Sequence, residues 1–435
     1  MNFDKLFALA KEKGLEDIQV TVSGGTEFDV EVFKGELEKY TIADTSRLSA
    51  KGIYKGKMGT VATEVINDDI NDFIVDSIIN SALQIDSEDE VFIYAGDEEY
   101  PEIKGLLNPD LDKVAAKKKI EDTFKLEAAV LAKDDRMKMV QAFYGEGTTK
   151  VVIQNSKGLK LEKVVNSALF GVYAIASDGE DQRTAYEFIF TNDYNDFDFE
   201  DLATKAAKKA AALLGAKPCK SGEYEVLLTA DASNSLLQPY VGMFSAEAVQ
   251  KGVSLLKGKL GEQIANKLIT IVDDPFKAKS PKSGSFDDEG VATKYKELVS
   301  KGTLTGYMHS LKTAKKDNVA ATGNGSAVRP SNFYILPGDA KYDDLVSSMK
   351  KGLVITDLAG THAGANPISG DFSLQASGFL VEDGKIIRPV ALITVAGNYL
   401  ELLNNVEAVS NDLAFNFGFI GSPSLKVKSL VVSGL

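Results

Sequence analysis

Between residues 18 and 64 one β-rich stretch follows another with no helical period between them. Ile18 to Val22, Glu27 to Phe33, Leu37 to Ala43, Arg47 to Tyr54 and Met58 to Glu64 alternate apolar and polar positions or are rich in β-formers. Gly24-Gly25 and Lys34-Gly35 carry turn chemistry between them. Parallel neighbours need a crossover of a dozen or more residues, and these gaps are far shorter. The stretch therefore predicts an antiparallel meander and excludes a regular βαβ fold. Helices flank it. Phe3, Leu6, Phe7, Leu9 and Ala10 recur at helical spacing before a stop at Gly14. Ile70, Phe73, Ile74, Ile78 and Ala82 do the same over Asp69 to Leu83. The fold class is α+β.

Residues 86–110 are acidic and hold Pro101 and Pro109, so they read as a connector and a sub-boundary. A helix is expected from Leu111 to Ala132. Strands are expected at Met137 to Tyr144, Lys150 to Asn155, Leu159 to Ala176 and Gln182 to Thr191, with turns at 155–158 and 177–179. An Ala-rich helix runs from Phe199 to Leu214, and residues 215–222 break the pattern. Two domains follow, an N-terminal α+β domain over 1–216 and a C-terminal domain over 222–435, in line with a length of 435 residues. The second half opens with a strand, Glu223 to Thr229. Asp231 is expected to cap a helix running towards Gln250 with Leu236, Leu237, Tyr240, Val241 and Phe244 on its apolar side. Short strands and loops fill 260–338. A short helix capped by Asp339 and ended by Gly352 follows, then strands around a helix at Tyr399 to Val406.

Composition narrows the function classes. With 49 basic and 63 acidic residues the formal charge is −14, which argues against nucleic-acid binding and against a basic membrane-surface helix. No apolar run approaches a membrane span, and charges interrupt the N-terminal residues, so a cytoplasmic, non-membrane protein is expected. One cysteine, Cys219, excludes an internal disulfide or a Cys-based zinc ribbon. The two histidines, His309 and His362, stand 53 positions apart, and that spacing supports no zinc motif with Cys219. Asp287-Asp288-Glu289 lacks the alternating spacing of a calcium loop and reads as a solvated turn whose Asp side chains bond backbone amides. Gly52, Gly56, Gly59 and Gly323-Asn324-Gly325 read as hairpin and loop glycines, since neither set matches a phosphate-binding fingerprint. Lys217 and Lys220 beside Cys219 are placed to lower its pKa, but no histidine is positioned by sequence to use it. Residue chemistry alone identifies no active site.

The order of blocks along the chain does resemble a family. The stretch from Leu48 to Thr63, Leu260 to Ile264, Leu268 to Pro275, Phe286 to Thr293, Asn366 to Ser373, Val381 to Val390 and Ala396-Gly397-Asn398 are similar to blocks of the TldD/PmbA family. Its members carry the label of DNA gyrase modulators and are viewed as a two-subunit peptidase system. The resemblance implies a two-domain fold of mixed and antiparallel sheets with packed helices. TldD-like members hold zinc with a His-Glu-x-x-x-His helix and a later cysteine. Here Ala246 and Lys251 align with the two histidines, and Phe415 and Phe417 occupy the cysteine-bearing stretch. That pattern resembles the TldE (PmbA) branch, which lacks the zinc motif. Glu247 falls at the place of the general base, where an ordinary helix carboxylate is the expected role. The resemblance thus implies no cofactor in this chain, zinc in a TldD-like partner, a heterodimer or, in isolation, a homodimer, and unfolded peptides as substrates. The alternatives are a self-sufficient metallopeptidase with an unrecognised metal site, with His362 as a candidate, and a protein-binding modulator of gyrase.

Overall fold

The computed structural model describes residues 1–86 and 90–435; residues 87–89 of the expected connector lie outside the described residues. Six strands from the first half form one antiparallel sheet: β1 (Asp17–Phe33), β2 (Glu36–Tyr54), β3 (Lys57–Thr63), β4 (Met137–Asn155), β5 (Lys160–Ser177) and β6 (Gln182–Thr191). Their order is β3-β2-β1-β4-β5-β6, which leaves β3 and β6 at the edges. The meander is therefore as expected, but its strands are longer. Gly24 and Gly25 lie inside β1 and are paired on both sides, to Ser46 and Thr45 and to Lys150 and Thr149. A Cβ on Gly24 would sit 2.8 Å from the Thr45 carbonyl oxygen, and one on Gly25 would collide with that of Thr148. These glycines permit close backbone approach rather than a turn, so two expected strands fuse into one. Leu37 to Ala43 joins Arg47 to Tyr54, and Met137 to Tyr144 joins Lys150 to Asn155, in the same way. Lys34-Gly35, by contrast, is the turn expected, with both residues at positive φ.

Helices α1 (Phe3–Glu12) and α2 (Asn71–Leu83) bury Leu6, Ile74 and Ile78 against Ile18, Val20 and Leu48 at one end of this sheet. Helices α3 (Ala116–Ala132) and α4 (Phe199–Ala212) cover the other end. There the alanine stripe 203, 206, 207, 210 of α4 lets the helix sit close to Phe170 and Val172.

The second half contains two more six-stranded sheets. One has the order β14 (Lys385–Asn398), β13 (Asp371–Glu382), β12 (Lys351–Ala359), β7 (Gly222–Leu228), β18 (Leu425–Ser433), β15 (Val406–Val409), with β7 and β12 parallel. The other is built of short strands: β8 (Ile271–Asp273), β9 (Lys296–Ser300), β10 (Thr303–Leu304), β11 (Phe333–Ile335), β16 (Ala414–Phe415) and β17 (Ile420–Ser422). One large core joins both sheets to α5 (Ala230–Leu237) and α10 (Tyr399–Asn404). Smaller helices are α6 (Ala246–Lys251), α7 (Leu311–Asp317), α8 (Tyr342–Ser347) and α9 (Thr361–Gly364). The α+β class with mixed sheets holds.

Several local expectations are corrected. Thr229, not Asp231, caps α5, accepting from the Ala232 amide. The helix does not reach Gln250. Pro239 cannot donate to an α-helical ladder, so α5 gives way at Gln238 to a 3₁₀ segment through Phe244, and α6 starts anew. Asp339 caps nothing, because α8 begins after Lys341 with no side-chain cap. Gly352 lies inside β12, where a side chain would collide with the Glu225 carbonyl of β7.

Gly59 was read as a hairpin glycine, yet it lies within β3 under α2. A Cβ there would collide with the Ile78 carbonyl oxygen and come within 2.8 Å of the Ala82 amide. Both are helix backbone and cannot rotate away. Gly59→Ala is expected to lower stability by about 2 kcal/mol or more. Urea unfolding should show a lower midpoint at unchanged slope.

Candidate functional site

A cleft of about 480 Å³ opens where the edge strand β6 meets the second half of the chain. Seven consecutive residues of β6, Gln182 to Phe188, line it. Consecutive lining means the cleft runs along the strand's edge, not across one face. No strand among the described residues pairs with that edge. The opposite walls come from α5, β12, β13 and β14 and from Phe415 to Phe417.

The floor is aromatic. Phe188 stacks on Phe417 with ring centroids 4.3 Å apart, and Tyr186 lies 5.2 Å from Phe417. The Tyr186 hydroxyl is buried without a hydrogen-bond partner among the described residues, and burial pushes its pKa up. One flank is charged. Lys209 of α4 places its Nζ 2.6 Å from Asp231 Oδ2 and 2.8 Å from Glu187 Oε1. Burial opposes the Lys209 charge, but the two carboxylates outweigh it and raise its pKa. Asp357 keeps an exposed side at the cleft mouth, and the desolvation that the surrounding walls impose still pushes its carboxyl up, Lys209 opposing and Asp231 adding.

Irregular backbone aims these walls. The β12–β13 register shifts between Ile355 and Asp357, which leaves Thr356 facing the cleft. The β13–β14 register shifts between Ala376 and Gly378, which does the same for Ser377. Opposite that shift, Leu392 has φ 57° and is largely exposed. Bulges re-aim side chains at the cost of ladder bonds, and three irregularities at one cleft suit a binding surface.

Of the residues singled out by sequence, Phe415 and Phe417 line the cleft, while Ala246, Glu247 and Lys251 lie elsewhere. Ala246 is fully buried and its amide bonds the Met308 carbonyl at 2.9 Å. Glu247 is half exposed and accepts from Lys251 Nζ at 2.6 Å, an ordinary i, i+4 helix pair. None of the three lines the cleft. The helix facing Phe415 to Phe417 is α5, whose Asn234 and Ser235 line the cleft with them. At its C-terminal end Gln238 accepts from the Asn416 amide at 2.8 Å. Cys219 is buried, and burial raises its thiol despite the neighbouring lysines, so the lowered pKa expected from sequence is corrected. His309 is buried with an unpartnered Nδ1, and burial lowers its pKa; His362 is exposed on α9. Asp287 accepts from the Glu289 and Val291 amides, each at 2.9 Å, which is the backbone-bonded turn expected, but Glu289 is buried and Asp287 half-buried, so the turn is only partly solvated.

Sequence reasoning missed Lys209, Glu187 and Asp357 and read Asp231 as a cap. No spacing links positions 187, 209, 231 and 357, which only the tertiary fold brings together. As a zinc centre the donor set does not fit. No three His, Cys, Asp or Glu side chains converge on a metal position among the described residues, and the cleft lining includes neither histidine nor the cysteine.

Because the folded protein disfavours ionised Asp357, its contribution to stability is present below the ordinary value of 3.8 and is lost as pH rises through the raised folded value. Asp357→Asn removes that loss. The variant is expected to gain thermal stability relative to the parent between pH 4 and 7, and the difference should vanish in more acid solution. Thermal melts of both proteins across that range check the sign.

Comparison with known proteins places the chain. The family model of the PmbA/TldA metallopeptidase C-terminal domain matches residues 221–434, and that of the central domain matches 109–214. A metalloprotease of Methanocaldococcus jannaschii is 25% identical over 451 residues, covering 98% of this chain and 96% of the relative. The crystal structure of a Thermotoga maritima protein described as a candidate modulator of a DNA gyrase is 36% identical, covers 99% of both chains and superposes with a TM-score of 0.92. TldE from Thermococcus kodakarensis, 23% identical, shares the fold over 99% of this chain and 100% of that one, with a TM-score of 0.90. Two family models that tile residues 109–434 with one short gap, and a full-length fold match, make this chain a member of the PmbA/TldD metallopeptidase family.

Proposed function

We propose that this chain is the non-zinc subunit of a TldD/TldE-type metallopeptidase, where it binds the zinc-bearing subunit and grips unfolded peptide. The observation that carries the reading is the unpaired β6 edge forming one wall of the cleft. An extended peptide can add to such an edge through main-chain hydrogen bonds, which read no side chains. The aromatic floor offers apolar contact of equal tolerance. Two of the groups that could transfer a proton are tied up, since Lys209 is held by two carboxylates and Glu247 by Lys251. Hydrolysis needs an activated water, and the zinc that would supply it is assigned to the partner. In the resemblance the zinc helix and the later cysteine stretch act together. In this fold the segment against Phe415 to Phe417 is α5, which offers asparagine and serine rather than imidazole or thiol.

Three outcomes are expected. The purified chain alone leaves an unfolded polypeptide intact, and mixing it with a TldD-like subunit permits cleavage. Co-expression followed by size exclusion yields one complex, while the isolated chain runs as a homodimer; separate elution of the two subunits at micromolar concentration defeats the pairing. Glu247→Gln leaves turnover of the pair unchanged, and a hundredfold fall with assembly intact would move the catalytic role to this chain.

The mode of peptide capture has its own test. Methylating every second backbone amide of a bound peptide removes the donors that face a strand edge. Binding measured by fluorescence anisotropy is expected to fall about tenfold or more in one methylation register and little in the other. Equal affinity in both registers would rule out strand addition.

A further inference from the structure

A second cavity, of about 420 Å³, lies between β5 and the loops of residues 282–293 and 323–331. It is lined by three cations, Lys163, Lys282 and Arg329. None of them has an ion-pair partner among the described residues, although the chain is acidic overall. Lys163 is half-buried, with Nζ 5.8 Å from the centre of the Phe286 ring that forms the floor. Lys282 and Arg329 are exposed at the rim.

Two carboxylates also line the cavity, but their oxygens are already engaged. Asp287 accepts from the amides of Glu289, Val291 and Gly325, and Asp288 from the amide and hydroxyl of Ser326. Three cations therefore face two carboxylates, which leaves the lining with an excess of one positive charge. Burial lowers the Lys163 pKa, Asp287 opposes this and Lys282 adds to it, so Lys163 and Lys282 feel each other across the cavity. An unpaired, partly desolvated ammonium is costly to keep.

The backbone around the cavity is built to hold this arrangement. A Cβ on Gly284 would come within 2.8 Å of Lys163 Nζ, so the Lys163 ammonium lies directly over the Gly284 backbone. Val328, next to Arg329, has φ 50°, a conformation strongly disfavoured for a β-branched residue. It is held there by the Asn324 side chain, which donates to the Arg329 carbonyl at 3.0 Å and to Asp273 at 2.7 Å. Strain of that kind persists only where surrounding bonds enforce it, and it marks functional loops.

We propose that this cavity binds a compact oxyanion, a carboxylate or a phosphate, between Lys163, Lys282 and Arg329. The ligand would supply the counter-charge the cavity lacks, with the Arg329 guanidinium able to take it in a bidentate way and the lysines as point charges. The site is separate from the β6 cleft and does not depend on the peptide reading, although the carboxylate end of a peptide is one source of such a group.

Calorimetric titration of the full chain with inorganic phosphate, with N-acetyl-alanyl-alanine and with the C-terminal amide of that dipeptide tests the proposal. Saturable binding is expected for at least one of the two anions, and none for the amide. Phosphate alone would identify a free phosphate as the source, and the acetylated dipeptide alone a peptide carboxylate. Lys163→Met and Arg329→Gln are each expected to weaken the binding about tenfold or more. Arg329 is exposed, so its variant keeps the test decisive if Lys163→Met does not fold. No saturable binding of either anion at millimolar concentration, binding that survives Arg329→Gln undiminished, or equal binding of the amide would overturn the proposal.

Discussion

The cleft exists because aromatic rings on the edge strand β6 pack on rings of the 415–419 loop. Phe188 stacks on Phe417, and Phe190 meets Phe419 edge-on at 5.0 Å. These contacts join a sheet made entirely by the first half to short strands made by the second. Polar contacts support them further along the same boundary. The Tyr100 hydroxyl donates to the Gly290 carbonyl at 2.7 Å, Asp97 accepts from the Ala292 amide at 2.7 Å, and Lys279 pairs with Asp196. Without this junction β6 would be a bare strand edge in solvent, a known liability for uncontrolled pairing. With it, the edge lies in a cleft whose mouth sets what can reach it.

That junction is consistent with where the irregular backbone falls. The long strands β1, β2, β4 and β5 keep register over 17 to 19 residues with few shifts. Two of the three shifts in β12, β13 and β14 lie at the cleft, with Leu392 in the left-handed region beside them. A rigid sheet supplies one wall and a locally distorted sheet the other. Distortion next to the cleft costs ladder hydrogen bonds, and the large core shared by α5, α10 and both C-terminal sheets is what tolerates that cost.

Much of this fold was legible in the sequence, and the exceptions have physical reasons. Hairpin order, helix positions and the α+β class follow from period and turn chemistry, which are local. The internal glycines did not, because Gly24, Gly25, Gly52 and Gly59 look like turn residues until the neighbouring backbone is in place. Pro239 and Gly352 show the same limit: whether a proline interrupts a helix or a glycine ends one depends on the neighbouring strand or turn. The family was legible from block order, which is a pattern across the whole chain. The cleft was not. Glu187, Lys209, Asp231 and Asp357 come from four elements and share no spacing, and the unpaired state of an edge strand is a property of the sheet, not of its sequence.

The electrostatics of the cleft bear on what it can do. A hydrolytic site keeps an acid and a base with pKa values driven apart, and both must be free to exchange a proton with substrate. Here the cation is shared between two carboxylates, and its raised pKa locks it in the charged form. The third carboxyl, Asp357, is pushed above the ordinary carboxylate value by desolvation. An unpaired strand edge along one wall and an aromatic floor both hold a peptide backbone without discriminating its side chains. In a partnership where chemistry belongs to a metal on the other subunit, sequence-tolerant holding is the function such a cleft is suited to, because orienting an extended chain lowers the barrier without any reactive group on the side that does the orienting.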